Sequence, residues 1–158
     1  MNPHQYIKNG EGKNFDYSQD HVYVKLSSHD TNGGLCVVED HLKPGFYLAR
    51  HHHKLMTEIF YVLEGDFEIR FDDQLIQGGK GDTITVPQGV WHEVKSKKGA
   101  ILITIFKNGR FDEYLEKLSG MSEDDFKNIM EFLFKYISKE KQTESLSDKL
   151  CQRFHLAE

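Results

Sequence analysis

His51, His53, Glu58 and His92 have the types and the spacing to do chemistry together. Side chains alternate faces along an extended strand, so His51 and His53 point to one side and His52 to the other. Lys54 to Thr57 is polar and short enough for a loop. Glu58 then opens the apolar run Ile59-Phe60-Tyr61-Val62-Leu63, which reads as the next antiparallel strand and returns the carboxylate to the level of the two histidines. Thr83 to Val86 is a β-branched strand that stops at Pro87-Gln88-Gly89, and the chain re-enters at His92. Three imidazoles and one carboxylate suit a divalent transition metal: iron, nickel, manganese, cobalt, copper or zinc.

Such a site implies a small-molecule substrate. Three neutral imidazoles and one carboxylate leave a divalent ion with net charge near +1, and an ion that accepts six ligands keeps two positions open. Adjacent carbonyl and hydroxyl oxygens of a substrate could fill them, with the metal as Lewis acid. Glu58 is the candidate catalytic base. Oxygenation, isomerisation, cyclisation and elimination are all open to this arrangement, and so is a non-catalytic small-molecule-binding module.

The elements that must position these residues are short strands. His21 to Leu26 alternates, with Val22 and Val24 on one face. Thr31-Asn32-Gly33-Gly34 is a turn, Leu35 to Leu42 the next strand, and Lys43-Pro44-Gly45 turns into the histidine strand. Unbroken alternation along that strand places Tyr47 and Ala49 on the face of His51 and His53. These two and Phe60 are the candidate substrate-pocket residues. Glu64-Gly65-Asp66 reads as a turn before the strand Phe67 to Phe71, and Asp72-Asp73 as a tight turn before Leu75 to Gln77. Ala100 to Phe106 is a buried strand. Eight to ten such strands indicate an all-β sandwich or barrel. After Asn108-Gly109 the period becomes helical: Phe111, Tyr114, Leu115 and Leu118 share one face, and Gly120 ends the helix. A second helical stripe runs through Phe126, Ile129, Met130, Leu133, Phe134 and Ile137, and Leu146, Leu150 and Phe154 suggest a last short helix.

The glycine frame around the ligand set resembles the cupin family. Its first motif, G-x5-H-x-H-x4-E-x6-G, is met by Gly45, His51, His53, Glu58 and Gly65. Its second, G-x5-P-x-G-x2-H-x3-N, is met by Gly81, Pro87, Gly89 and His92, with Ser96 in place of the final Asn. The resemblance implies a double-stranded β-helix, a jelly-roll barrel over residues 21–106 with the metal inside. An N-terminal arm (1–20) precedes it, and a C-terminal α-helical tail (107–158) follows, packed on the barrel or at a dimer interface. Gly33-Gly34-Leu35, the run Phe60 to Gly65, and Phe111-Asp112 with Tyr114 are similar to single-domain cupins of the quercetin dioxygenase type. That likeness implies dioxygenase-like chemistry and a homodimer.

Composition narrows the partners. The chain has 158 residues, with 11 Phe, 7 Tyr and one Trp, which agrees with one packed β-domain. A formal charge of −5 gives no basic footprint for nucleic acid. No apolar run approaches a membrane span, and Met1 to Phe15 lacks the apolar centre of a signal peptide. Cys36 and Cys151 lie in no metal or redox motif, so a reduced, cytoplasmic protein is expected.

The register of the histidine strand is testable. His51→Ala is expected to lower metal affinity by orders of magnitude, and His52→Ala to leave it unchanged. Metal content per chain and thermal melting with and without added metal decide it. The reverse outcome would place the strand one residue out of register.

Overall fold

The computed structural model describes residues 5–120 and contains nine strands and one α-helix. The strands are β1 (Lys13–Asp16), β2 (Asp20–Leu26), β3 (Leu35–Leu42), β4 (Phe46–His51), β5 (Thr57–Arg70), β6 (Leu75–Gly79), β7 (Thr83–Val86), β8 (His92–Ser96) and β9 (Ala100–Lys107). Helix α1 (Phe111–Ser119) follows. All pairings are antiparallel, in the order β1-β2-β3-β9-β5-β8-β4, with β6 and β7 also bonded to β5. The expected all-β barrel is therefore present, followed by a short helix. The stripes placed at 126–137 and 146–154 lie outside the described residues. Among the described residues, no helix is long and apolar enough to cross a membrane.

Strand β5 joins the two halves of the curled sheet. Its first half pairs with β9 and β7, and its second half with β8 and β6. Sequence reading puts a turn at Glu64-Gly65-Asp66, but β5 runs through it as one strand of 14 residues. A register shift between Val62 and Glu64, with Gly65 at φ +78°, bends the strand from one half-sheet to the other without ending its hydrogen bonds. The sheet also starts earlier than residue 21, because Lys13–Asp16 pairs with His21–Val24 and makes the arm an edge strand.

Alternation supplies two apolar clusters. Leu42, Phe60, Val62, Phe67, Ile69, Ile84, Val86, Val94 and Leu102 fill one. Phe15, Val22, Val24, Cys36, Val38, Met56 and Phe106 form the other, where Leu115 of α1 packs against them. α1 is tied on by its first turn: Asp112 accepts hydrogen bonds from the Ser27 hydroxyl at 2.7 Å and the Ser28 amide at 3.0 Å. Ser96 closes the strand end where the family motif has Asn. Its hydroxyl donates to the Asp66 carbonyl and accepts from the Gly99 amide, each at 3.0 Å.

Two glycines separate local strain from close packing. A Cβ on Gly65 would stand 2.5 Å from the Gly99 carbonyl oxygen, whereas one on Gly81 (φ +90°) would meet nothing within 4 Å. Gly81→Ala should cost about 1 kcal/mol, the left-handed penalty alone. Gly65→Ala should cost at least about 2 kcal/mol more, because backbone must move. Urea midpoints of the two variants give the comparison, and equal losses would show that the Gly65–Gly99 approach does not constrain the fold.

Candidate metal centre

Three elements and one loop deliver the four ligands. His51 ends β4, His92 begins β8 directly opposite it, and Glu58 is the second residue of β5. His53 lies just beyond β4, and its carbonyl accepts a 2.7 Å hydrogen bond from the Gly89 amide, which ties the loop to the turn before β8. One ligand atom from each of His51, His53, Glu58 and His92 falls within a 4.8 Å set. His51, Glu58 and His92 are buried, and the His53 side chain is only 11% exposed. The rings of Phe106 and Phe71 stand 6.5 Å from those of His53 and His92, respectively, so apolar surface flanks the group.

The hydrogen bonds orient the imidazoles. Nδ1 of His51 lies 2.8 Å from the Ala49 carbonyl, and Nδ1 of His92 lies 3.0 Å from the Val90 carbonyl. A carbonyl only accepts, so both Nδ1 atoms carry the proton, and in the neutral rings both Nε2 atoms offer a lone pair. His92 Nε2 faces Glu58 Oε2 at 3.1 Å, and His53 Nε2 is 3.5 Å from the same oxygen with no hydrogen-bond partner among the described residues. Two lone pairs cannot face each other at that distance without a proton or a cation between them. A divalent ion satisfies all four donors at once, so the residues fit a metal.

Electrostatics point the same way. Burial, with His92 and His53 adding to it, pushes the His51 imidazole down to about 3, so the ring stays neutral and able to bind a metal. Burial alone would raise Glu58, but a proton or cation shared with the His53 and His92 nitrogens beside it holds the carboxyl well below its ordinary range.

Of the pocket residues named from sequence, Tyr47 is elsewhere. It is 49% exposed, pairs with Lys95, sets its ring 5.0 Å from the Lys95 Nζ, and points its hydroxyl toward Glu93 at 3.5 Å. The cause is a register shift between Leu48 and His51, where three steps on β4 match two on β8. The extra residue inverts the alternation, so Tyr47 faces outward while His51 faces inward. Ala49 contributes its carbonyl to His51, as described. Phe60 is buried in the apolar core against Phe67, at a ring distance of 5.4 Å. His52 lies on the outer side against Trp91, at 4.5 Å.

Sequence reading misses a second polar group inside the barrel. Asp40 and Thr104 are buried on the inner faces of β3 and β9, and the Thr104 hydroxyl donates to Asp40 Oδ2. Burial raises the Asp40 carboxyl well above its ordinary range, and Asp20 and Glu58 add to the rise. Burial also lifts Asp20 to about 6. The signal was an acidic residue in the otherwise apolar inward row Cys36, Val38, Asp40 and Leu42 of β3. Glu39 beside it is also buried, but it binds Lys25 at 3.1 Å and His41 at 2.6 Å on the outer side.

Two families match the chain. The cupin domain matches residues 38–106, and the non-SMC mitotic condensation complex subunit 1 family matches residues 88–158. The overlap, 88–106, contains β8 and most of β9, both of them barrel strands. Quercetin 2,3-dioxygenase of Bacillus subtilis (strain 168) is 29% identical over 118 residues, 74% of this chain and 35% of that protein. Condensin complex subunit 1 of Mus musculus is 58% identical over 38 residues, 24% of this chain. The chain thus spans about a third of the dioxygenase and 3% of the condensin subunit. An RmlC-like cupin from Shewanella frigidimarina NCIMB 400 superposes with a TM-score of 0.59 at 24% identity, covering 71% of this chain and 98% of that one. The likeness supports the barrel fold.

The buried acid inside the barrel has a signed pH consequence. A carboxyl whose folded pKa lies above its unfolded value costs stability above that unfolded value, near 3.8 for Asp, and the cost vanishes below it. Asp40→Asn keeps an acceptor for Thr104 and removes the titration. It is expected to raise the melting temperature at pH 7, with the gain shrinking to nothing near pH 4. A lower melting temperature than wild type at pH 7 would rule out this account.

Proposed function

We propose that the chain is a small cupin resembling the quercetin dioxygenase type, and a metal-dependent, dioxygenase-like enzyme acting on a small organic substrate that chelates through adjacent oxygen atoms; the match of residues 38–106 to the cupin domain supports this reading. The observation that carries this reading is the buried His51, His53, Glu58 and His92 group with its imidazole Nε2 atoms facing a carboxylate. When bound there, a divalent iron, nickel, manganese, cobalt, copper or zinc ion supplies Lewis acidity. The chain's own residues do the rest. The Ala49 and Val90 carbonyls hold the His51 and His92 rings in the tautomer that binds. Phe71 and Phe106 limit water around the centre. Glu58 is the group placed to take a proton from a substrate hydroxyl at its Oε2. The carboxyl is held below its ordinary range, so it is ionised and its oxygens carry no proton.

Metal analysis, oxygen consumption with hydroxy-ketone and related chelating substrates, and isomerase and lyase screens test the reading. Protein as isolated should carry about one divalent ion per chain. Glu58→Gln is nearly isosteric and should fold, hold metal more weakly, and lose turnover on the order of 10²- to 10⁴-fold, further than occupancy falls. Protein that binds no divalent metal at stoichiometric amounts would sink the proposal. Full metal occupancy with substrate binding and no turnover would reassign the chain as a binding module.

A further inference from the structure

The barrel has an open side next to the metal centre. β6 and β7 are hydrogen-bonded to β5 and to no other described strand. β5 bends between its halves, so β6 on one half and β7 on the other diverge from the turn Gly79-Lys80-Gly81-Asp82. Between them lies a cleft of about 430 Å³. Its floor is apolar: half-buried Phe71 and Ile76, and buried Ile84. Its exposed rim is polar: Gln74, Thr83 and Thr85, with Asp82 at the closed end. Both walls lead to metal ligands. β7 ends at Val86, which pairs with Glu58. The opposite wall ends at Phe71, whose ring stands 6.5 Å from that of His92. Tyr47, Ala49 and Phe60, the pocket residues expected from sequence, do not line this cleft.

We infer, on the metal-dependent reading above, that this cleft holds the part of the substrate remote from its chelating oxygens, and that this part is a neutral, planar ring bearing hydroxyl groups. Size agrees. A cavity of about 150 Å³ suffices for benzene, so about 430 Å³ admits a one- or two-ring compound. Planarity follows from the floor. Phe71 presents an aromatic ring, on which a flat ring stacks with an offset while Ile76 and Ile84 cover its remaining surface. Hydroxyl groups follow from the rim. The Gln74 amide and the Thr83 and Thr85 hydroxyls both donate and accept, and the Asp82 carboxylate accepts. Asp82 is held in place at the turn, where its Oδ2 accepts a 2.8 Å hydrogen bond from the Gly79 amide. Neutrality follows from charge. The lining contains one carboxylate and no Lys, Arg or His, so an anionic group on the ring would be repelled and left unpaired. Phe71 is common to the cleft and the metal centre, so a ring stacked on it directs its chelating end between Phe71 and Val86, toward the ligand group.

The test uses the full chain, with circular dichroism and metal content as folding controls. Resorcinol is the first probe, because its two hydroxyls are not adjacent and cannot chelate. Titration followed by NMR should show saturable binding, with or without metal, at a dissociation constant on the order of 1 mM, as for a fragment of that size. Benzoate should bind at least about tenfold more weakly. Ile76→Trp, which fills the cleft from its floor, should abolish resorcinol binding. Thr85→Trp fills it from the exposed rim and keeps the test decisive where Ile76→Trp does not fold. On metal-loaded protein, para-hydroxybenzohydroxamate, a hydroxylated ring with adjacent chelating oxygens, should bind at least about tenfold tighter than acetohydroxamate, which chelates without a ring. Either substitution should erase that difference. Resorcinol that fails to bind, or that binds both variants as it binds wild type, would overturn the inference. So would equal affinities of wild type for the two hydroxamates. Resorcinol binding that both substitutions remove, in protein that takes up no metal, would uphold the ring site and defeat the metal-dependent reading alone.

Discussion

The structure depends on the burial of one carboxylate. Glu58 is 4% exposed, and an isolated ion at such a place costs on the order of several kcal/mol. Three imidazoles offset that cost only in part, because two of them are locked by backbone carbonyls with their lone pairs directed inward. The group is therefore electrostatically incomplete as a set of protein side chains and complete with a cation. The barrel exists around this requirement: four ligands from β4, the following loop, β5 and β8 must meet within a few ångströms, away from water.

Two local irregularities make that meeting geometrically possible. The shift between Leu48 and His51 turns the last residue of β4 inward against His92. The shift between Val62 and Glu64, with Gly65 at positive φ, lets β5 serve both half-sheets, so that Glu58 near its start and Arg70 at its end lie on different walls of the same barrel. The close approach of Gly65 to Gly99 and the Ser96 hydroxyl bonds then hold the strand ends together. Bulges usually occur where a side chain must be re-aimed, and here both flank the ligand set.

The barrel interior divides into apolar clusters and a polar zone. The metal-ligand group and the Asp40–Thr104 pair occupy that zone, and their electrostatic demands are opposite: Glu58 is held ionised by its neighbours, while Asp40 is pushed toward its neutral form. The match to the condensin subunit family runs from residue 88 to residue 158 and overlaps the last two barrel strands.

Much of the site was legible from residue order alone. His51, His53, Glu58 and His92 stand at spacings that strand alternation and short turns convert into one cluster, and the motif glycines Gly45, Gly65, Gly81 and Gly89 mark the places where φ is positive. Strand positions followed from period and turn residues. Tertiary structure alone decided the rest. A bulge inserts one residue without any residue type that announces it, so the facing of Tyr47 could not be read from alternation. The continuity of β5 across Glu64-Gly65-Asp66 depends on four partner strands, not on the local turn signal. The Asp40–Thr104 pair joins residues 64 apart in sequence, and its energetics come from burial, which only the closed barrel imposes.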